Sequence, residues 1–168
     1  MLEVTNLRLG FTAGKETLVA VDGISFAISR GETFALLGES GCGKSATAQG
    51  IMRLLPAAGS ITGGSVRLED EELLTLAEAE MRQVRGARIA MIFQEPATSL
   101  NPVLTVGMQI GEVLDRHCGL RGEPAHQRML ELLRQVGIAD PERRLDEYPF
   151  QFSGGMKQRV MIAIALAG

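Results

Sequence analysis

Gly38-Glu39-Ser40-Gly41-Cys42-Gly43-Lys44-Ser45 has the spacing G-x-x-x-x-G-K-S. Thr33-Phe34-Ala35-Leu36-Leu37 precedes it, a short apolar run that reads as a strand. Ala46, Thr47, Ala48 and Gln49, then Ile51, Met52, Leu54 and Leu55, follow it and read as a helix. A glycine-rich turn between a strand and a helix is the setting in which this spacing cradles phosphate. The glycines remove the Cβ atoms that would keep backbone N–H groups from an anion. Successive N–H groups then form a concavity, and the helix N-terminus adds its positive dipole end. In such a loop Lys44 would bridge the β- and γ-phosphates of a nucleotide, and the Ser45 hydroxyl would ligate Mg²⁺. The competing reading is a glycine-rich turn with a chance Gly-Lys-Ser, and the flanking strand and helix weigh against it.

The 168 residues suit one domain, and the 45% apolar content is enough to bury a core. Net charge is −3 with no block of like charges, so composition points to no nucleic-acid partner. Cys42 and Cys118 have neither metal nor redox spacing, and Cys42 occupies a free position inside the loop, as a small filler. So few cysteines fit a reducing cytosol. Met1-Leu2-Glu3-Val4 opens into alternating strand-like sequence, so no secretory signal is expected. No apolar run approaches the ~20 residues of a membrane span. The longest, Val160 to Ala167, is expected to be a buried helix. The chain stops at Gly168 inside that segment, with no cap or polar tail, and this leads to the expectation of a truncated chain.

Leu2, Val4, Leu7 and Leu9 predict a first strand, and Leu18 to Ile28 a second, interrupted at Asp22-Gly23. The polar stretch Thr12 to Glu16 is expected to be the turn between them, and Ser29 to Glu32 another turn. This opening reads as an antiparallel β subdomain feeding a parallel core. Pro56 and Gly59 are expected to end the helix after the loop, and Gly63 to Glu69 to form a strand. A helix is expected around Ala77 to Val84 within a solvated acidic stretch. Arg88-Ile89-Ala90-Met91-Ile92-Phe93 predicts a buried strand ending at Gln94-Glu95-Pro96. Val106 to Leu114 fits a helix. The next helix starts near Pro124, carries Met129, Leu132, Leu133 and Val136 on one face, and is closed by Gly137. Asp146 to Phe152 reads as a linker. Ser153 is a good N-cap for a last helix running to the end of the chain. The two glycines after it each cost about 1 kcal/mol relative to alanine in a helix. Close approach of backbone N–H groups to a phosphate would explain them, against a plain capped helix with a loose first turn.

Gly38 to Ser45, Gln94 after a strand, and Phe152-Ser153-Gly154-Gly155-Met156-Lys157-Gln158-Arg159 occur in the order and at the separation found in ATP-binding cassette ATPases. The resemblance covers essentially the whole chain. Three further stretches narrow it to the oligopeptide, dipeptide, nickel, glutathione and microcin importer branch. They are Ala20 to Phe26, Phe93-Gln94-Glu95-Pro96-Ala97-Thr98-Ser99-Leu100-Asn101-Pro102, and Gln158 to Ala163.

The resemblance implies an α/β fold: a P-loop nucleotide hydrolase core with an N-terminal antiparallel β subdomain and an inserted helical subdomain, its C-terminal core strands missing. Residues 1–168 would be a partial nucleotide-binding domain. By that likeness Gly38, Glu39, Ser40, Gly41, Cys42, Gly43, Lys44 and Ser45 would hold the phosphates of ATP and Mg²⁺. Gln94 would contact Mg²⁺ or its water network and sense the membrane partner. Ser153, Gly154 and Gly155 would contact the γ-phosphate of ATP held on the opposite cassette of a head-to-tail dimer, homo- or heteromeric. Phe11 is the aromatic that would stack on adenine, against an ordinary surface or core phenylalanine. Catalytic roles would fall to Lys44 and Gln94. The family's catalytic Glu, its switch His and the Asp that supports Mg²⁺ have no counterpart in these 168 residues, which alone are expected to hydrolyse little ATP and to be marginally stable. His117 and His126 read as surface helix residues.

The implied function is an ATP-hydrolysing subunit powering import of peptides or similar small solutes through membrane permease subunits. It would work indirectly with a substrate-binding protein and sit peripherally on the cytoplasmic face of the inner membrane. Two alternatives stay open: a cassette ATPase without a transport role, and another P-loop nucleotide-binding module. The sequence leaves the cargo unspecified.

Overall fold

The computed structural model describes residues 1–14, 16–95 and 99–168. Lys15 of the first turn and Pro96-Ala97-Thr98 of the stretch after Gln94 lie outside the described residues. Two compact units divide the chain, Met1–Met81 and Arg82–Gly168.

The first unit is built on β1 (Leu2–Ala13), β2 (Glu16–Ile28), β3 (Gly59–Leu68) and the short β4 (Glu71–Glu72). They form one antiparallel sheet in the order β2-β1-β3-β4. In β1, Val4, Leu7 and Leu9 are all buried, although strict alternation would put Val4 on the face opposite the other two. A bulge at Thr5-Asn6 resolves this: the register shifts between Val4 and Leu7, and Asn6 takes φ +49°. One extra residue switches the parity, so one side of the strand stays apolar. Gly64 on β3 faces the bulge with φ +100°, and a Cβ there would stand 2.5 Å from the Asn6 carbonyl oxygen. The expected interruption at Asp22-Gly23 is a second register shift, between Leu7 and Arg8, with the extra residue on β2, and it leaves β2 continuous.

The helix after the loop, α1 (Lys44–Ile51), buries Thr47, Gly50 and Ile51. It lies so close to β1 that a Cβ on Gly50 would be 2.9 Å from Leu9 Cδ1. It stops well before Pro56, because Arg53 turns left-handed (φ +53°). The Arg53 guanidinium donates to the carbonyls of Leu73 (3.1 Å) and Leu76 (2.7 Å), which fixes the helix end against the turn after β4.

Two expected strands are absent. Residues 33–37 and 88–93 form no ladder; the latter contribute only an isolated bridge between Arg85 and Ile89. Phe34, Leu37, Ile92 and Phe93 are exposed. A strand needs a neighbour to accept its backbone hydrogen bonds, and among the described residues no such neighbour pairs with either run.

The second unit is helical. Its elements are the end of α2 (Glu78–Ala87), then α3 (Val106–Val113), α4 (Gly122–Gln135), α5 (Pro141–Leu145) and α6 (Gly154–Ala165). A single π turn, Leu114–Cys118, prolongs α3, and a 3₁₀ turn, Pro149–Gln151, lies inside the expected linker. Thr105 caps α3 by accepting from the Met108 N–H at 3.2 Å. The core joins Val106, Ile110, Leu114, Leu132, Leu133 and Val160, all fully buried. Met129 and Val136 pack at its edge, and Gly137 closes α4 with φ +73°. α6 ends at Ala165, and Leu166 beyond it is exposed, so the last apolar run is only partly buried. His117 and His126 are half-buried rather than surface residues. Among the described residues no helix is long and apolar enough to cross a membrane.

Candidate functional site

The loop Gly38–Ser45 is shaped by two left-handed glycines, Gly41 (φ +81°) and Gly43 (φ +92°). Gly43 is also the N-cap of α1, and a Cβ there would stand 2.6 Å from the Ala20 carbonyl oxygen on β2. Both backbone angle and contact therefore demand glycine at this position. No side chain caps α1 and no acidic residue lies in its first turn. The orphan N–H groups of that turn are thus left to whatever occupies the loop. Thr47 secures the turn from within: its N–H and its hydroxyl both donate to the Gly43 carbonyl, at 2.8 and 2.9 Å.

The Lys44 ammonium folds back over the loop. It donates to the carbonyls of Gly38 (2.7 Å) and Glu39 (2.6 Å) and lies 3.4 Å from Cys42 Sγ. A cleft of about 240 Å³ opens beside it, between Ala20, Val21 and Ile24 of β2 and Leu36, Leu37 and Thr47. Asp22 also lines the cleft, and Arg8 Nη1 at 3.7 Å partly offsets its charge. N–H groups at a helix N-terminus beside a positioned ammonium make an anion receptor. The exposed Ser45 hydroxyl is a hard oxygen donor of the kind Mg²⁺ takes, so the residues fit a Mg²⁺-bound phosphate chain.

Phe11 lies half-buried in β1, opposite Leu18 and Gly59. Its Cε1 would be 3.0 Å from a Cβ on Gly59, and it does not line the cleft.

In the second unit, Gln94 is exposed at the edge of the undescribed stretch 96–98. Downstream, Asn101 is pinned by Gln109, whose side chain accepts from the Asn101 N–H (2.9 Å) and donates to the carbonyls of Asn101 and Leu104 (3.1 Å each). Sequence reading missed Gln109; a polar residue between the apolar Met108 and Ile110 of α3 was the available signal. It also missed Thr47 and the backbone of Ala20, since neither loop-shaping contact leaves a pattern in spacing.

Ser153 caps α6 by accepting from the Met156 N–H at 3.4 Å. The buried Phe152 anchors this end under the Arg144 guanidinium, 5.6 Å from the ring centroid. Arg159 donates to the Gly137 carbonyl at 2.8 Å. Gly154 and Gly155 are exposed, neither has positive φ, and a Cβ on either would meet nothing within 4 Å. Among the described residues, nothing in the packing calls for glycine there.

Residues 21–168 match the family model described as ABC transporter. The chain is 52% identical over 167 residues to the dipeptide transport ATP-binding protein DppD of Bacillus subtilis (strain 168), covering 99% of this chain and 50% of that protein. It is 53% identical over 168 residues to the peptidoglycan transport ATP-binding protein YejF of Agrobacterium fabrum, covering 31% of that protein. Apart from such longer proteins, the chain spans about half the length of the curated relatives it matches. Among solved structures, the ATP-binding cassette MJ0796, a dimer in a post-hydrolysis state bound to ADP and Pi, superposes with a TM-score of 0.86. Identity there is 30%, over 99% of this chain and 69% of that one. A loop fixed by Gly43 against β2, a glycine-opened helix at Ser153 and these likenesses agree: the chain belongs to the ABC transporter family.

Proposed function

We propose that this chain is the ATP-binding part of a subunit that powers import of peptides or similar small solutes. The observation that carries the reading is the Lys44 ammonium, held at the Gly38 and Glu39 carbonyls over an uncapped helix N-terminus. A side chain held by exposed loop carbonyls and a thiol sulfur can be redirected to a stronger acceptor, and phosphate oxygens are stronger acceptors than either. ATP, when bound, supplies the phosphoryl group. Gly38 to Ser45 hold its phosphates through N–H groups and the Lys44 charge. Ser45 and Gln94 are the ligands proposed for Mg²⁺, and Phe11 for the adenine ring. Lys44 offsets the charge that builds on the transferring group.

Ser153, Gly154 and Gly155 complete the site of a second cassette in a head-to-tail pair, homo- or heteromeric. The names of the relatives favour peptides as cargo; membrane permease subunits as direct partners and a substrate-binding protein as the indirect supplier complete the proposal. The proposed place is peripheral, at the cytoplasmic face of the inner membrane. Equilibrium binding of a fluorescent ATP analogue with Mg²⁺ tests the reading. Lys44→Ala is expected to weaken binding at least tenfold, about 1.4 kcal/mol, with the thermal transition unchanged. Equal affinity in the two proteins would overturn it.

A further inference from the structure

Arg144, on α5, joins two parts of the second unit. Its Nη1 donates to Glu147 Oε2 at 2.6 Å, and its guanidinium carbon lies 5.6 Å from the centroid of the Phe152 ring. Glu147 in turn holds the start of α3: its backbone carbonyl accepts the Val106 N–H at 2.9 Å, beside the Thr105 cap. Phe152 is buried and immediately precedes Ser153, the cap of α6. One cation thus touches both the residue that docks α3 and the residue that seats the glycine-opened end of α6.

Fold stability does not account for an arginine here. Its Nε is buried with no hydrogen-bond partner among the described residues, and an unmet buried donor costs free energy. Glu147 keeps a second cation without it, because Arg143 Nε lies 3.3 Å from Glu147 Oε1. The Arg144 and Glu147 side chains are only 21% and 15% exposed, and a pair so far buried returns little net stability once desolvation is counted. An apolar side chain of similar length would fill the same space without the orphan donor. It would lose the charge, which attracts the ring face at this distance.

The first turn of α6 is loosely held. Two glycines follow the cap, and the bond from the Met156 N–H to Ser153 Oγ is long, at 3.4 Å. Between Phe152 and Val160 no residue is fully buried, so Phe152 is the nearest firm anchor of that turn. We infer that Arg144 is a positioning residue, acting through Phe152 to set where the N-terminus of α6 points. Resting on the head-to-tail pairing proposed above, this role governs how Ser153, Gly154 and Gly155 meet ATP on a second cassette.

The test uses the whole chain and reads two events separately. Binding of a fluorescent ATP analogue with Mg²⁺ reports the Lys44 loop, and ATP-driven association in sedimentation velocity reports the paired site. Arg144→Met keeps the length and removes the charge. It is expected to leave the thermal transition and the analogue affinity unchanged and to weaken association at least about tenfold. Arg144→Lys restores a cation and is expected to recover most of the association, which a space-filling role would not require. Phe152→Leu fills the core without a ring face, and in that background Arg144→Met is expected to add little. Wild-type association in Arg144→Met, no recovery in Arg144→Lys, or effects of the two sites that simply add would overturn the inference and leave the head-to-tail pairing standing. A fall in both the melting temperature and the analogue affinity of Arg144→Met would assign the residue to the fold and overturn it as well. A wild-type chain that binds the analogue and fails to associate would bring down the pairing itself, and the role of Arg144 with it.

Discussion

The carbonyl oxygen of Ala20 stands 2.6 Å from where a Cβ on Gly43 would be. Strand β2 thus presses on the one residue that both ends the phosphate loop and caps α1. An L-residue at φ +92° already costs about 1–3 kcal/mol, and the Ala20 backbone cannot swing aside as a side chain could. Gly43→Ala is expected to lower stability by about 2 kcal/mol or more and to abolish ATP binding. Urea unfolding and binding of a fluorescent ATP analogue check this. Wild-type stability in the variant would show that the loop relaxes freely.

Gly154 and Gly155 make the opposite case. No atom lies within 4 Å of either built Cβ and neither φ is positive. Replacing Gly154 by Ala removes a poor helix former without a clash, so the urea midpoint is expected to rise, by up to about 1 kcal/mol in stability. If the pair contacts ATP on a second cassette, the same change removes ATP-driven dimerisation in sedimentation velocity. A variant that is both more stable and still dimerises would sink the proposed role of this helix end.

These two glycine sites also mark what the sequence made legible. The loop spacing announced Gly41 and Gly43, and Ser153 announced the N-cap of α6, because both are local events of backbone angle and capping. That residues 33–37 and 88–93 form no strand was not legible in the same way. Their apolar runs are real, but a strand is a pairing, and pairing partners leave no trace in a five-residue window. The bulge at Asn6 hid in plain alternation, since Val4, Leu7 and Leu9 look like one apolar face until parity is counted. Phe11 fell between readings: its place on β1 was predictable, its neighbours across two strands were not.

Glu72 gives a pH signature to the sheet. Burial pushes its carboxyl up, but hydrogen bonds from Ser65 Oγ and the N–H groups of Val66 and Leu74, together with the Arg67 charge, outweigh this and hold it below its ordinary value of 4.5. A group depressed in the folded state adds stability above its unfolded value, and that stability is lost as pH falls through the folded one. Glu72→Gln is therefore expected to lower the melting temperature at neutral pH and to narrow the gap to wild type as pH drops below 4.5. Melting curves across that range check it. A constant gap at all pH values would mean that packing, not charge, holds the β3–β4 turn.

Cys42 Sγ lies 3.4 Å from Lys44 Nζ and 2.6 Å from where a Cβ on Gly38 would be, so the thiol fills the space spanned by the loop. It is also exposed, as is Cys118. An adduct on Cys42 has to push out of that space and displace the Lys44 ammonium from the Gly38 and Glu39 carbonyls. In a Cys118→Ser background, iodoacetamide is expected to modify Cys42 once and to lower ATP-analogue affinity more than tenfold. Cys42→Ser, close in size to the thiol, is expected to keep binding and to be insensitive to the reagent. Nucleotide with Mg²⁺ is expected to slow the modification, because phosphates in the loop close the approach to the sulfur. Intact-mass spectrometry follows the adduct and fluorescence follows binding. Full ATP affinity in the singly modified protein would place the phosphates away from Cys42 and count against Gly38–Ser45 as their cradle.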